Sequence, residues 1–116
     1  MPESANPKEV GLRLRAIFKK LGITTTEAAA QLGEKPANLG NNVNGYALPR
    51  PHVAYELEKM LPGVTLQWIY FGDDRLVPGK LSRELAIFVE IFRKHIAAAQ
   101  EVAAETKAEL AKATAA

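Results

Sequence analysis

The chain has 116 residues, of which 47% are hydrophobic and 24% are charged. This length fits one domain with an appendage, and the composition is ordinary for a globular protein. The sequence contains no cysteine, which excludes disulfides, thiolate metal sites and cysteine nucleophiles. The formal net charge is only +2, so charge alone does not point to a nucleic-acid partner.

From the sequence we expect neither a leader peptide nor a membrane span. Residues Met1–Pro7 are polar and lack the apolar stretch of a signal peptide. The longest nearly apolar run, Leu85–Phe92, is interrupted by Glu90 and is far too short to cross a bilayer. We therefore expect a cytoplasmic protein.

The first predicted helix begins after Asn6. Asn is a favoured N-cap, Pro7 suits the first helical position, and Glu9 stands where the acid of a capping box belongs. Gly22 is placed to end the helix in a left-handed conformation. Apolar residues recur between these ends at helical spacing. They are Val10, Leu14, Ile17, Phe18 and Leu21. We expect four basic residues of this helix to face solvent: Arg13, Arg15, Lys19 and Lys20.

A short second helix is predicted from its capping box. Thr24 is the cap and Glu27 is the acid that reaches back to it. Gly33 follows Leu32 and ends the helix after about two turns.

The third helix is predicted to begin at Pro36 and to run to Asn44. Leu39 and Val43 are its apolar anchors at i and i+4. Most of its other residues are Asn and Gly, which are poor helix formers. Packing must therefore hold this helix, and a purely space-filling role is not expected of it.

Two further helices and a tail complete the chain. We expect a fourth helix over 51–61 and a fifth over 66–71, both bounded by Pro, Thr or Gly. A polar segment follows, and an alanine-rich helix comes last. The sequence thus predicts an all-α fold with a five-helix domain over 1–72, a linker over 73–80 and a helical tail over 81–116.

Motifs at regular spacing carry a family resemblance. They are Gly22-Ile23-Thr24, Ala29, Leu32-Gly33, Leu39–Gly45 and Thr65–Gly72. In order and spacing, residues 10–72 resemble the lambda-repressor-like helix-turn-helix family, also called the xenobiotic-response-element type. The resemblance implies a five-helix domain that binds double-stranded DNA.

In this family the third helix lies in the DNA major groove. The resemblance places five residues at or near the base edges: Pro36, Ala37, Asn38, Asn41 and Asn42. Asn pairs bidentately with adenine, and Ala contacts the thymine methyl group. We expect Asn41 to read an A/T-leaning half-site with help from Asn38.

The resemblance also implies contacts to the DNA backbone. The matching residues are Thr25, Asn44, Tyr46 and Arg50. We add Lys35 and His52, which lie next to this set in the sequence. Many relatives carry Gln at the positions of Thr25 and Pro36, and the missing amides predict weaker DNA binding. Many also pair Arg with Glu at the positions of Phe18 and Val43. An apolar pair there is consistent with a preserved scaffold.

The start of the tail carries an apolar stripe that we expect to form a homodimer. The stripe is Leu81, Leu85, Phe88, Phe92 and Ile96. A helix beginning near residue 82 is longer than a small core is wide, so it should pair with a second copy or fold back. A strand over residues 85–92 is the less favoured alternative.

The sequence therefore predicts a DNA-binding transcriptional regulator that acts as a homodimer on a palindromic site. The alternative is a protein-interaction module on the same scaffold, such as an antitoxin-like or adaptor protein, which the weak basic charge favours. Neither a paired acid and base nor a nucleophile stands out, so no catalysis is expected. His52 and His95 lack ligand-spaced partners, and we expect no metal, cofactor, small-molecule ligand or membrane contact.

Overall fold

A computed structural model describes residues 5–115, which fold into six α-helices and contain no strand. The helices are α1 (Pro7–Leu21), α2 (Thr25–Leu32), α3 (Pro36–Val43), α4 (Pro51–Met60), α5 (Leu66–Phe71) and α6 (Gly79–Ala115). The predicted all-α fold, five short helices followed by one long helix, is confirmed. The expectations made for residues 1–4 and for Ala116 lie outside the described residues.

The start of α1 has the predicted N-cap, Asn6, but lacks the capping box predicted for Glu9. The Asn6 side chain accepts hydrogen bonds from the main-chain N–H groups of Lys8 and Glu9, at 2.9 and 3.3 Å. The capping box expected of Glu9 is wrong, because its carboxylate accepts two hydrogen bonds from Arg93 of α6, at 2.7 and 2.9 Å. These bonds lower the pKa of Glu9. Glu9 thus ties α1 to α6.

The turn between α2 and α3 forms as predicted. Thr24 and Glu27 make both hydrogen bonds of the capping box, each at 3.1 Å. Gly33 has a φ of +68°, a left-handed conformation that costs glycine little. The chain can therefore reverse within Gly33–Lys35 and enter α3 at Pro36.

Helix α1 is the centre of the molecule and packs against α3, α5 and α6. It approaches the end of α3 closely at Gly11. A Cβ atom there would lie only 2.7 Å from the carbonyl oxygen of Val43 and 2.9 Å from that of Asn42. Glycine is therefore required for α3 to pack this closely on α1. Fully buried side chains from five helices belong to one core cluster: Leu14, Ile17, Leu39, Leu57, Ile69 and Leu85.

The expectation that the basic residues of α1 lie largely on the solvent side holds for Lys19 and Lys20 and is wrong for Arg13 and Arg15. Arg13 is half-buried and donates from Nη1 to the carbonyl oxygen of Ile69, at 3.1 Å. Arg15 is half-buried and donates to the carbonyl oxygen of Val43, at 3.1 Å, and to Oδ1 of Asn44, at 2.7 Å. Because α1 is surrounded by other helices, its polar side meets their carboxyl ends.

The first part of α6 belongs to the same core. Leu85 is fully buried, and Leu81 and Phe88 pack against the buried cluster. The expectation that Leu85 contacts a second copy is therefore wrong, because a short connection after α5 returns the chain along α1 and buries this side chain in its own core. Residues 85–92 are helical, which excludes the strand alternative. Ion pairs hold both ends of this contact, Lys20 to Glu84 and Arg93 to Glu9.

The remainder of α6 extends away from the domain. Phe92 and Ile96 are half-buried, and all residues from 97 to 114 are exposed. At 1.5 Å per residue the 37-residue helix is about 55 Å long, which matches the longest dimension of the molecule, 57 Å. Across residues 5–115, no helix combines the length and the apolar character that a bilayer crossing requires.

Candidate nucleic-acid interface

Helix α3 is fixed by its inner face and presents its outer face to solvent. Leu39 is fully buried and Val43 nearly so, which anchors the helix on the core. Four of the five residues expected at base edges are exposed: Pro36, Ala37, Asn38 and Asn41. A short helix of poor helix formers is thus held by tertiary packing, and its polar side is left open.

The fifth expected residue, Asn42, does not point outward, and its assignment to the base edges is wrong. Only 7% of Asn42 is exposed, and its Nδ2 donates to the carbonyl oxygen of Ala47 at 3.2 Å. Position 42 falls between Leu39 and Val43 on the anchored side of the helix. Asn42 therefore holds the loop that follows α3.

That loop, residues 44–50, is braced from three directions. The Tyr46 N–H donates to the carbonyl oxygen of Asn41 at 2.9 Å. The Tyr70 hydroxyl of α5 donates to the carbonyl oxygen of Pro49 at 2.6 Å, and burial raises the pKa of Tyr70. Arg15 holds Asn44, as described above. The Tyr46 ring is 78% exposed, so a rigid loop presents a free phenol.

A buried carboxylate, Glu34, supports the cations at the far end of the loop. Its side chain is only 2% exposed, and it pairs with Arg50 and with Nε2 of His52, the latter at 3.1 Å. Arg50 itself is 67% exposed, so its guanidinium is anchored at one end while remaining accessible. We did not single out Glu34 from the sequence. The sequence signal that could have identified Glu34 is an isolated acidic residue directly after the turn glycine, Gly33.

The remaining residues expected at the DNA backbone are accessible to different degrees. Lys35 is exposed and makes no ion pair within the described residues. Thr25 is half-buried at the first position of α2, where main-chain N–H groups lack helical partners and suit a phosphate.

A shallow depression connects the outer face of α3 with Arg50 at the end of the loop. It has a volume of about 250 Å³, and the polar side chains around it include Asn38, Asn41 and Arg50. Amide groups offer donors and acceptors to base edges, and cations suit phosphates. Positive charge is sparse, since the Arg50 guanidinium faces the Glu34 carboxylate. The surface is therefore built more for hydrogen bonding than for general electrostatic attraction.

A short helix, a glycine turn and a second helix with a free polar face define a helix-turn-helix domain. A family model described as Helix-turn-helix matches residues 14–69, from the middle of α1 to α5. This segment is therefore similar to the lambda-repressor-like, Xre-type helix-turn-helix family, a family of DNA-binding domains. The resemblance seen in the sequence is thus confirmed. Neither a search of curated proteins nor a search of solved structures gave a significant match.

Proposed function

We propose that this protein is a cytoplasmic, sequence-specific transcriptional regulator that places α3 in the DNA major groove. The observation that carries the proposal is the division of α3 into an anchored face and an exposed face of Pro36, Ala37, Asn38 and Asn41. A helix presented in this way fits the major groove of B-form DNA. We assign it no catalytic step and no cofactor.

Asn41 is the principal base reader in this proposal. Its side chain is exposed, whereas its carbonyl oxygen is bonded to Tyr46, so the amide is free to pair with adenine N6 and N7. Asn38 lies one turn before Asn41 and beside the same depression. The face lacks Arg and Lys, which supports an A/T-leaning site.

The DNA backbone is held on both sides of α3 in this proposal. Lys35 and the start of α2 at Thr25 lie on one side, and the braced loop with Asn44, Tyr46 and Arg50 lies on the other. His52 joins Arg50 at the start of α4. These contacts fix the register of the protein and carry no sequence information.

We further propose that the protein acts as a homodimer on a palindrome. The exposed apolar residues of α6 support this, because Ile87, Ile91 and Val102 recur on one face of the helix. A homodimer formed through this face carries two copies of α3, and such dimers read half-sites about 34 Å apart.

The test is selection of bound DNA from random sequence with the wild-type protein and with Asn41→Ala. We expect the variant to lose preference at one base position of each half-site, at a cost of about 1–3 kcal/mol. Gln67→Ala is the matched control, because Gln67 is also exposed but lies on α5, away from α3. Binding should weaken as salt rises, because phosphate contacts release counterions. A selected consensus made only of G and C contradicts the assignment of Asn41 as the reader of an A/T-leaning half-site.

The sparse cationic charge of this surface favours one alternative, a protein-interaction module of the antitoxin-like or adaptor type. In that case no DNA is enriched over the random pool, at any salt concentration. A partner protein then protects the α3 face instead, and Asn41→Ala weakens the binding of that partner.

A further inference from the structure

A second concave site lies on the other side of the loop that follows α3. This groove has a volume of about 500 Å³ and lies between the start of α1, the end of α3 and the middle of α6. That volume is within the usual range of small-molecule sites. The groove differs from the α3 depression in position and in chemistry.

The polar side of the groove has an excess of positive charge. Lys8, Arg15 and Arg93 line it, against the single carboxylate of Glu9. Glu9 and Glu90 neutralise Arg93, by hydrogen bonds of 2.7 to 3.1 Å. The other two cations, Lys8 and Arg15, have no carboxylate partner within residues 5–115.

Arg15 and Lys8 are therefore the cations open to a ligand. The hydrogen bonds of Arg15 go to neutral oxygens of Val43 and Asn44 and use Nε and Nη2. Its Nη1 makes no hydrogen bond within residues 5–115. Lys8 forms no ion pair in that part of the chain. An anion bound here gains two charge-assisted contacts without displacing an existing ion pair.

The other side of the groove is apolar. Leu12 and Val43 form its buried floor, and Ile96 and Ala97 of α6 form one wall. The exposed ring of Tyr46 stands at its edge. Apolar walls with a few convergent polar groups are typical of sites for small organic molecules.

We infer that this groove binds a small amphipathic carboxylate, with its carboxylate on Lys8 and Arg15 and its hydrocarbon body against Leu12, Val43 and Ile96. An inorganic anion leaves the apolar floor uncovered, and a neutral hydrocarbon leaves both cations unused. An acid with a short aliphatic or aromatic body satisfies both sides.

Such a ligand also reaches the surface assigned to DNA. Asn44 and Tyr46 line this groove and belong to the loop that we propose contacts the DNA backbone. A carboxylate held beside this loop repels phosphate, so the ligand lowers the affinity for DNA. The predicted loss of DNA affinity rests on the proposed function, whereas the predicted binding of the ligand does not.

The binding test is two-dimensional ¹H–¹⁵N NMR of the full chain with sodium hexanoate as the probe. We expect saturable chemical-shift changes at the amides of the groove residues. The Kd should be on the order of millimolar for a ligand of about eight non-hydrogen atoms. Sodium phosphate and 1-hexanol are the two comparison probes. Equal binding of phosphate shows a simple anion site, and equal binding of 1-hexanol shows a simple apolar one. Either result overturns the inference.

Variants locate the site. Ala97→Phe fills the groove from its wall and should abolish the chemical-shift changes, whereas Ala99→Phe, at an exposed position outside both the groove and the apolar stripe of α6, should leave them intact. Lys8→Gln should weaken binding about tenfold, and Lys94→Gln, on the exposed side of α6, should not change it. Shifts that persist in Ala97→Phe overturn the assignment of the groove.

The effect of the ligand on DNA affinity is measured in a separate experiment. Hexanoate at 10-fold its Kd should weaken DNA binding by the wild-type protein and leave Ala97→Phe unaffected. If hexanoate fills the groove and DNA affinity does not change, the coupling is wrong and the binding site stands. If the protein binds no DNA, the proposed function fails while the NMR experiment still decides the binding site.

Discussion

Glu34 shows how one buried side chain can organise an exposed surface. Removing a carboxylate from water is costly, and the cost is offset here by Arg50 and His52. In return, Arg50 is held at one end while most of its guanidinium stays accessible. An arginine restrained in this way loses less conformational freedom when it meets a phosphate than a free one does.

The two roles of Arg50 predict different responses to substitution. Arg50→Ala should destabilise the fold by about 1–2 kcal/mol, because it leaves the buried Glu34 carboxylate with His52 as its one remaining partner. The same variant should bind DNA about tenfold more weakly, because a phosphate contact is lost. Adding Glu34→Gln to Arg50→Ala should restore part of the stability and none of the DNA affinity. Urea denaturation and fluorescence anisotropy measure the two quantities.

Lys35 supplies the control for this experiment. It is an exposed cation at the start of α3 that makes no ion pair among the described residues, so Lys35→Ala should change stability by less than about 0.5 kcal/mol. Its effect should appear in DNA affinity alone. If the variant that combines Glu34→Gln with Arg50→Ala is no more stable than Arg50→Ala alone, the proposed role of Glu34 is wrong.

At the scale of helices, α6 is part of the domain and not an attachment to it. Leu85 is fully buried in the core cluster, on a helix that packs along α1, although the family match ends at residue 69. The ion pairs at Glu84 and Arg93 align the two helices along this contact. The core of this protein therefore extends beyond the segment that the family model matches.

Leu85→Ala should accordingly destabilise the whole domain by about 2–5 kcal/mol, the usual cost of removing a fully buried leucine side chain. Leu110→Ala is the matched control on the same helix, because Leu110 is 63% exposed and its replacement should cost less than about 0.5 kcal/mol. Urea denaturation followed through the buried Trp68 measures both. Equal effects of the two substitutions contradict the inclusion of α6 in the core.

The helices were predictable from the sequence because their ends are marked locally. Asn6, Thr24 and Thr65 cap α1, α2 and α5, and glycine follows each of these helices. Such signals act within a few residues, so one sequence contains all of the information that is needed. The exposed residues at the start of α3 were predictable for the same reason, since Leu39 and Val43 define its inner side.

The contacts between distant segments were not predictable. The partner of Glu9 is 84 residues away, and the partners of Glu34 are 16 and 18 residues away. Helical spacing identified the apolar stripe that contains Leu85, but it does not tell whether such a stripe meets the chain's own core or a second copy. Asn42 was misjudged in a similar way, because a loop carbonyl lies within its reach.

At the scale of the whole molecule, the face of α6 that remains open differs from the one that the sequence suggested. Ile87 and Ile91 are exposed at i and i+4, and Ala98 and Val102 repeat that spacing seven and eleven residues after Ile91. These four residues form a narrow apolar stripe on a helix that projects beyond the domain. Narrow stripes of this kind fit a helical partner better than a broad core.

This stripe predicts the oligomeric state and its dependence on α6. Wild-type protein should sediment as a dimer at micromolar concentration, and Ile87→Glu combined with Ile91→Glu should give the 12.6 kDa monomer, because the paired helices would bury charged carboxylates. Ala104→Glu, an equally exposed change outside the stripe, should leave the dimer intact. The monomeric variant should keep its helical content and bind a single half-site, but lose the affinity gained by binding two half-sites together. A wild-type protein that sediments only as a monomer removes the dimer from the proposal and leaves α3 to bind an isolated half-site.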